Sequence, residues 1–313
     1  MTLTIVGSVA FDSLQTPSGS RERILGGAAT HASLAASFFT DVRIVGVVGD
    51  DFGDPEIEVL HSRGIHTDDL ERVQGERTFC WAGRYDYDFN TAHTLDTQLN
   101  VFAQFSPKLS AESRAAQTLF LGNIQPDLQR DVREQCEATG LVGLDSMNYW
   151  IDTARDALIR ALGLVDVALL NDAEARMLTG QASIVRAARE IRAWGPPLVV
   201  IKRGEYGAAL FTEEGFFVLP ALLLEKIVDP TGAGDSFAGG FLGYLDAHAG
   251  QLSEAVIRRA VAYGQVMGSF NVEDFGTQRV QRLELAEINT RFDELARMTH
   301  FEAVPLESRA AAR

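Results

Sequence analysis

Short, mostly apolar runs of four to six residues recur along this chain, and longer stretches with helical spacing separate them. That alternation constrains the fold more than any other feature. Residues 3–7, 43–48, 118–121, 141–144, 165–170 and 198–201 have the continuous apolar character of strands covered on both faces. Residues 28–39, 55–63, 128–139, 152–162 and 184–193 have helical periodicity. Strands and helices in this order call for right-handed βαβ units. The expected class is therefore α/β, an open, doubly wound and mostly parallel sheet.

Two segments interrupt the pattern. Residues 12–24 are polar and turn-rich. Residues 78–105 place Phe79, Trp81, Tyr85, Tyr87 and Phe89, then Leu95, Leu99, Val101 and Phe102, with the alternation of strands that bury one face. Both are too long for ordinary βα loops. They are expected to form a small β lid inserted in the large domain, with a β-hairpin packed immobile on the core as the alternative. The expected division is 1–11, 26–77 and 106–301 for the large domain, 12–25 and 78–105 for the lid, and 302–313 for a tail with little to bury. In the last third, 208–211 and 215–219 suggest an antiparallel pair and 225–228 a further strand. Helices are expected over 234–248, 254–271 and 284–298.

Composition narrows the functions. A chain of 313 residues, 46% hydrophobic, can hold its core by apolar burial alone. Its two cysteines, Cys80 and Cys136, form no C-x-x-C pattern, which points to a reduced, cytoplasmic protein. The N-terminus enters a strand pattern directly, so no signal peptide is expected. No apolar run approaches the ~18 residues of a membrane span. With 43 acidic and 28 basic residues the formal charge is −15, and the basic residues form no patch. Such a surface repels a nucleic acid polymer while leaving a small nucleotide acceptable.

The strongest chemical signal is Asp229-Pro230-Thr231-Gly232-Ala233-Gly234-Asp235-Ser236, followed by a helical pattern. Small residues at 232–234 let the backbone approach a ligand, and a helix N-terminus adds free N–H groups, so the segment suits an anion. Asp235 inside such a site is either a helix-capping carboxylate or the base that deprotonates an attacking hydroxyl beside a phosphate.

This segment resembles the C-terminal signature of the ribokinase-like, or PfkB, carbohydrate kinase family, D-T-x-G-A-G-D, with Pro230 in place of the usual threonine. Further landmarks follow in register over nearly the whole chain. Val6-Gly7-Ser8 and Asp12 resemble the opening strand and the acid that binds substrate hydroxyls. Gly26-Gly27 resembles the N-terminal glycine pair, and Val48-Gly49-Asp50-Asp51-Phe52-Gly53 the G-x-D-x-x-G turn. Asn171-Asp172-Ala173-Glu174 resembles the N-x-x-E element, and Lys202-Arg203-Gly204-Glu205-Tyr206-Gly207 the K-x-G-x-x-G nucleotide loop.

The resemblance implies a ribokinase-like fold and an ATP-dependent kinase acting on a hydroxyl of a small sugar or nucleoside. It makes Asp235 the catalytic base and the Gly232, Ala233 and Gly234 amides the anion hole. Asp12, Gly26, Gly27 and His31 would meet the substrate, and Lys202, Gly204, Gly207 and Thr231 the ATP. Asn171 and Glu174 would hold Mg²⁺ through water, and Asp229 a monovalent cation such as K⁺, with backbone carbonyls near Asn271 and Gly276. Several of these residues also have plain structural readings: a capping box for Asn171 and Glu174, an Asx turn for Asp12 and a hairpin turn for the 204–207 glycines, a solvated lysine for Lys202, and a packed histidine for His31. Lid strands in such folds often pair between subunits, so a homodimer is an expectation as well.

Two departures bear on the substrate. Ala10 and His31 stand where ribose-specific members carry asparagines. The lid aromatics offer flat surfaces suited to a base, which puts nucleoside and sugar on equal footing. Two rival activities find less support. No G-x-G-x-x-G follows the first strand, against a dinucleotide-dependent oxidoreductase, and no Walker motif is present, against a P-loop ATPase. A non-catalytic binding protein on the same fold remains as the alternative.

Overall fold

The computed structural model describes residues 1–89, 91–136, 140–249 and 252–304. The strands, in chain order, are β1 (Thr2–Val6), β2 (Ala10–Thr16), β3 (Gly19–Gly26), β4 (Asp41–Gly49), β5 (His66–Val73), β6 (Phe79–Tyr85), β7 (Ala92–Gln98), β8 (Thr118–Leu121), β9 (Leu141–Asp145), β10 (Val167–Asn171), β11 (Leu198–Lys202), β12 (Ala208–Phe211) and β13 (Phe216–Leu219). Nine of them form one sheet in the order β13-β12-β11-β10-β9-β8-β1-β4-β5. Its strands run parallel except at the end, where β12 turns back on β11 and β13 on β12.

The apolar runs are continuous because the two faces of each strand feed different cores. Leu3, Ile5, Ile44, Phe120, Leu169 and Val200 belong to one, and Val6, Val45, Leu119, Leu121, Leu170 and Val199 to the other. The first core is covered by α1 (Ala28–Ala36), α9 (Ala233–Ala247) and α10 (Glu254–Asn271), where the abundance of Ala and Gly lets helices approach closely. The second lies under α4 (Pro126–Gln135), α6 (Arg155–Leu162), α7 (Asp172–Thr179) and α8 (Ile184–Ala193). Among the described residues no helix is long and apolar enough to cross a membrane.

The chain reverses its direction of winding between β1 and β8. Such a switch point opens a crevice at the carboxyl ends of the strands, where α/β sheets take their ligands. Over that edge stands a second sheet of four strands, β3-β2-β6-β7. It is mixed: β2 pairs antiparallel with β3 but parallel with β6.

Some expectations are corrected. The segment 225–228 is no strand: Val228 donates its N–H to the Val272 carbonyl, and hydroxyls of Thr16 and Ser18 satisfy the carbonyls of Val228 and Ile227. Side chains of the β2–β3 hairpin thus replace a ladder. The helix expected over 152–162 is two, α5 (Asn148–Thr153) and α6, broken at Ala154 with φ −141°. Val101, Phe102 and Phe105 leave the small sheet, and Phe102 stacks between Phe79 and Phe105. Edge strand β5 was not foreseen. The expected helical residues 137–139, and the tail beyond 304, lie outside the described residues.

Candidate active site

The acids and bases of the crevice come from the carboxyl ends of strands, from the lid, from the first turns of α7 and α9, and from the loop that leads into α9. Gly232, the N-cap of α9, takes the left-handed conformation at φ 75°. A side chain here is excluded twice, by that backbone geometry and by the His31 imidazole, which fills the space where a Cβ would go. Thr231 is tied from behind, its N–H donating to Asp229 Oδ1 at 2.9 Å and its carbonyl accepting from Asn271 Nδ2 at 2.6 Å. Ala233 donates to the Pro230 carbonyl at 3.1 Å, closing the turn. Of the three amides expected to receive an anion, that of Ala233 is therefore committed. Those of Gly232 and Gly234 donate to no described residue.

His31, expected to meet substrate, lies beneath this turn. It is 1% exposed and its Nδ1 is 2.9 Å from Asn271 Oδ1, an oxygen that also accepts from Ser236 Oγ at 3.0 Å. Burial holds its pKa below the usual imidazole value, with Asn271 partly opposing. A neutral ring donating from Nδ1 fits that bond. Asp229 is fully buried, and both its oxygens accept backbone N–H groups, from Thr231 and, at 2.8 Å, from Gly276.

Asp235 sits in the first turn of α9, with its pKa raised by burial and held back by Lys202. Lys202 is no solvated surface lysine. Its Nζ donates to Asp145 Oδ2 at 2.5 Å and reaches within 3.1 Å of where a Cβ on Gly234 would stand. Burial lowers the ammonium's proton affinity, but Asp145 and Glu174 outweigh it and leave the pKa raised. Asp145, the last residue of β9, lies one residue beyond the strand expected at 141–144 and is not among the expected site residues; an acid directly after a buried run is the signal that marks it. Burial pushes Asp145 up to about 6 against the pull of Lys202, and burial together with Asp145 pushes Glu174 up to about 8.

Three acids, Asp145, Glu174 and Asp235, thus face one ammonium, a charge excess that suits a divalent cation. Asn171 and Glu174 form a capping box on α7: Asn171 Oδ1 accepts from the Glu174 N–H at 2.8 Å, and Glu174 Oε2 from the Asn171 N–H at 2.7 Å. One Glu174 oxygen remains to face the crevice. Among the described residues no group of three or more His, Cys, Asp or Glu could itself hold a metal ion. A hard cation carried by phosphate and water fits these donors.

Asp12 stands on β2 rather than at the end of β1. It is 4% exposed and lies against the backbone of Gly26, with the Gly27 amide opposing the rise in its pKa. Burial, then Asp229 and Asp235, push its pKa up to about 8. Gly26 ends β3 and Gly27 caps α1, so both lie against this acid. Across the strand pair Asp12 faces Trp81, and Leu14 faces Gly83. A Cβ on Gly83 would collide with the Trp81 indole, which therefore lies flat along the lid's inner face. Gly204 lies in an exposed turn, whereas Gly207 is buried against the end of β13.

The model of the pfkB family carbohydrate kinases matches residues 4–282. A cytidine kinase of Thermococcus kodakarensis is 29% identical over 77% of this chain and 87% of its own. A nucleoside kinase of Methanothermobacter thermautotrophicus is 26% identical over 81% and 80%. In fold, the Burkholderia thailandensis nucleoside kinase in complex with inosine superposes with a TM-score of 0.78 at 23% identity, covering 94% of this chain and 97% of that one. Signature turn, sheet order and crevice agree with these matches: the chain belongs to the pfkB family of carbohydrate kinases, phosphotransferases with an alcohol group as acceptor.

Proposed function

We propose that the chain transfers the γ-phosphoryl group of ATP to a hydroxyl of a nucleoside, with Asp235 as general base. The observation that carries this reading is the position of Asp235, inside the anion-accepting turn and in one crevice with Asp12 and Lys202. The acceptor lies between the lid and the sheet edge. Asp12 accepts hydrogen bonds from sugar hydroxyls while the backbone of Gly26 and Gly27 bounds the sugar. The flat indole of Trp81 supplies a stacking face for a base, worth about 1–3 kcal/mol. The curated relatives that cover most of this chain include enzymes named for cytidine and nucleosides.

Asp235 takes the proton of the attacking hydroxyl. The amides of Gly232 and Gly234 and the ammonium of Lys202 face the charge on the transferring group, so preorganised donors supply most of the acceleration. Mg²⁺ accompanying the nucleotide would be held through water by Asn171 and Glu174, and would neutralise phosphate charge. A monovalent cation such as K⁺ would draw on the remaining lone pairs of Asp229. Thr231 and the 204–207 turn line the nucleotide side. The exposed edge of β7 suits pairing with a second copy through the lid.

The test is ATP consumption against a panel of nucleosides, ribose and hexoses, with the product identified by ³¹P NMR. The reading predicts stoichiometric ADP and a nucleoside monophosphate. Turnover with hexoses and none with nucleosides would overturn the substrate, and ATP turnover with no acceptor on the panel would overturn the activity.

A further inference from the structure

β6 leaves the large domain at Phe79 and ends at Tyr85, crossing the whole lid. Its alternation puts Tyr85 on the same face as Trp81 and Gly83, toward Asp12. There Thr231 Oγ1 donates to the Tyr85 hydroxyl at 3.1 Å, linking residues 146 apart in sequence. Thr231 thus has three tethers. Asp229 holds its amide and Asn271 its carbonyl, both from the large domain, and the lid alone holds its hydroxyl. The phenol is half-buried among carboxylates: burial raises its pKa, and Asp229, Asp12 and Asp235 add to this.

The rest of the lid is docked on the same segment. Thr16 Oγ1 donates to the Val228 carbonyl at 2.7 Å, and Ser18 Oγ to that of Ile227 at 2.8 Å. Leu14 packs with Val228 and Phe275, and Trp81 lies against them. The lid is therefore closed onto the strip of chain that leads into the phosphoryl-accepting turn.

We infer that Tyr85 is a positioning residue: through Thr231 it holds the turn in register with the closed lid, so that the phosphoryl group meets the acceptor hydroxyl rather than water. The inference rests on the lid covering the acceptor, as proposed above. If the link is cut while the two large-domain tethers remain, the turn stays folded but is no longer coupled to closure. Water then competes for the phosphoryl group. The bond from phosphorus to the ADP oxygen breaks as before, a new one forms to a water oxygen, and the water's proton passes to Asp235, giving ADP and inorganic phosphate.

The experiment compares wild type with Tyr85→Phe, which keeps the ring and removes only the hydroxyl, and with Tyr87→Phe as control, since Tyr87 is 91% exposed. The first readout is the ratio of inorganic phosphate to phosphorylated acceptor. Tyr85→Phe should raise it at least about fivefold and lower kcat about tenfold, with KM for ATP unchanged, while Tyr87→Phe matches wild type. Thr231→Val should raise the phosphate-to-product ratio by the same factor, whatever it does to KM for ATP, and the double variant should raise it no more than either single one. The second readout needs no acceptor: hydrogen exchange over residues 227–235 should quicken in Tyr85→Phe. A ratio and exchange rates equal to wild type would overturn the inference, as would additive effects in the double variant. A wild type that phosphorylates no nucleoside would instead refute the proposed substrate, and the exchange comparison would still decide on Tyr85.

Discussion

Replacing Asp12 by asparagine should stabilise the unliganded protein while destroying its activity, and the stabilisation should grow with pH. The folded-state pKa of Asp12 is raised from 3.8 to about 8. Between those values the folded protein binds a proton that the unfolded chain releases, so stability falls as pH rises through the window and levels off above it. At 1.36 kcal/mol per tenfold change in proton affinity, ionised Asp12 costs the fold about 6 kcal/mol, of which about 4 kcal/mol accrues between pH 5 and pH 9. The assay is urea unfolding of wild type and Asp12→Asn at both pH values, comparing the two differences. The asparagine variant should gain about 4 kcal/mol more at pH 9 than at pH 5, and should show kcat/KM for the acceptor lowered by at least about 10². A gain that is the same at both pH values within about 1 kcal/mol would refute the claim that this acid is held buried beside Asp229 and Asp235.

Other perturbations separate the parts of the site. Gly232→Ala forces a side chain into left-handed backbone and against His31; it should destabilise by about 3 kcal/mol in denaturant titrations and raise KM for ATP. Asn271→Leu leaves the Thr231 carbonyl, Ser236 and His31 without their partner and should cost about 3 kcal/mol by the same measurement, with kcat falling more than acceptor affinity. Lys202→Met removes the ammonium that the proposed mechanism sets against the phosphoryl group and should lower kcat/KM for ATP by about 10²–10³ in steady-state assays, with the fold retained as judged by circular dichroism.

What the sequence revealed follows from how locally each feature is encoded. The strands from β1 to β11 that lie inside the sheet were legible because both faces are covered and their runs are almost wholly apolar. β5, with His66, Asp68, Asp69, Glu71 and Arg72, sits at the edge and looks like loop. Asp235 was legible because turn, glycines and acid are contiguous. Asp145 was not, because it lies one residue beyond the strand expected at 141–144 and its partner Lys202 is 57 residues away. The setting of His31 was hidden for the same reason, since Asn271 lies 240 residues on, at the end of α10. Trp81 was visible as one lid aromatic among several, but only the absence of a side chain at Gly83, directly along its strand, lays the indole flat.

The most direct test of the mechanism is single-turnover phosphoryl transfer by Asp235→Asn, alongside ATP affinity by calorimetry. With the proposed base removed and the turn at 231–234 intact, affinity should stay within about threefold of wild type while transfer slows by about 10³–10⁴. Transfer at close to the wild-type rate with unchanged affinity would contradict the assignment of Asp235 as the group that deprotonates the acceptor.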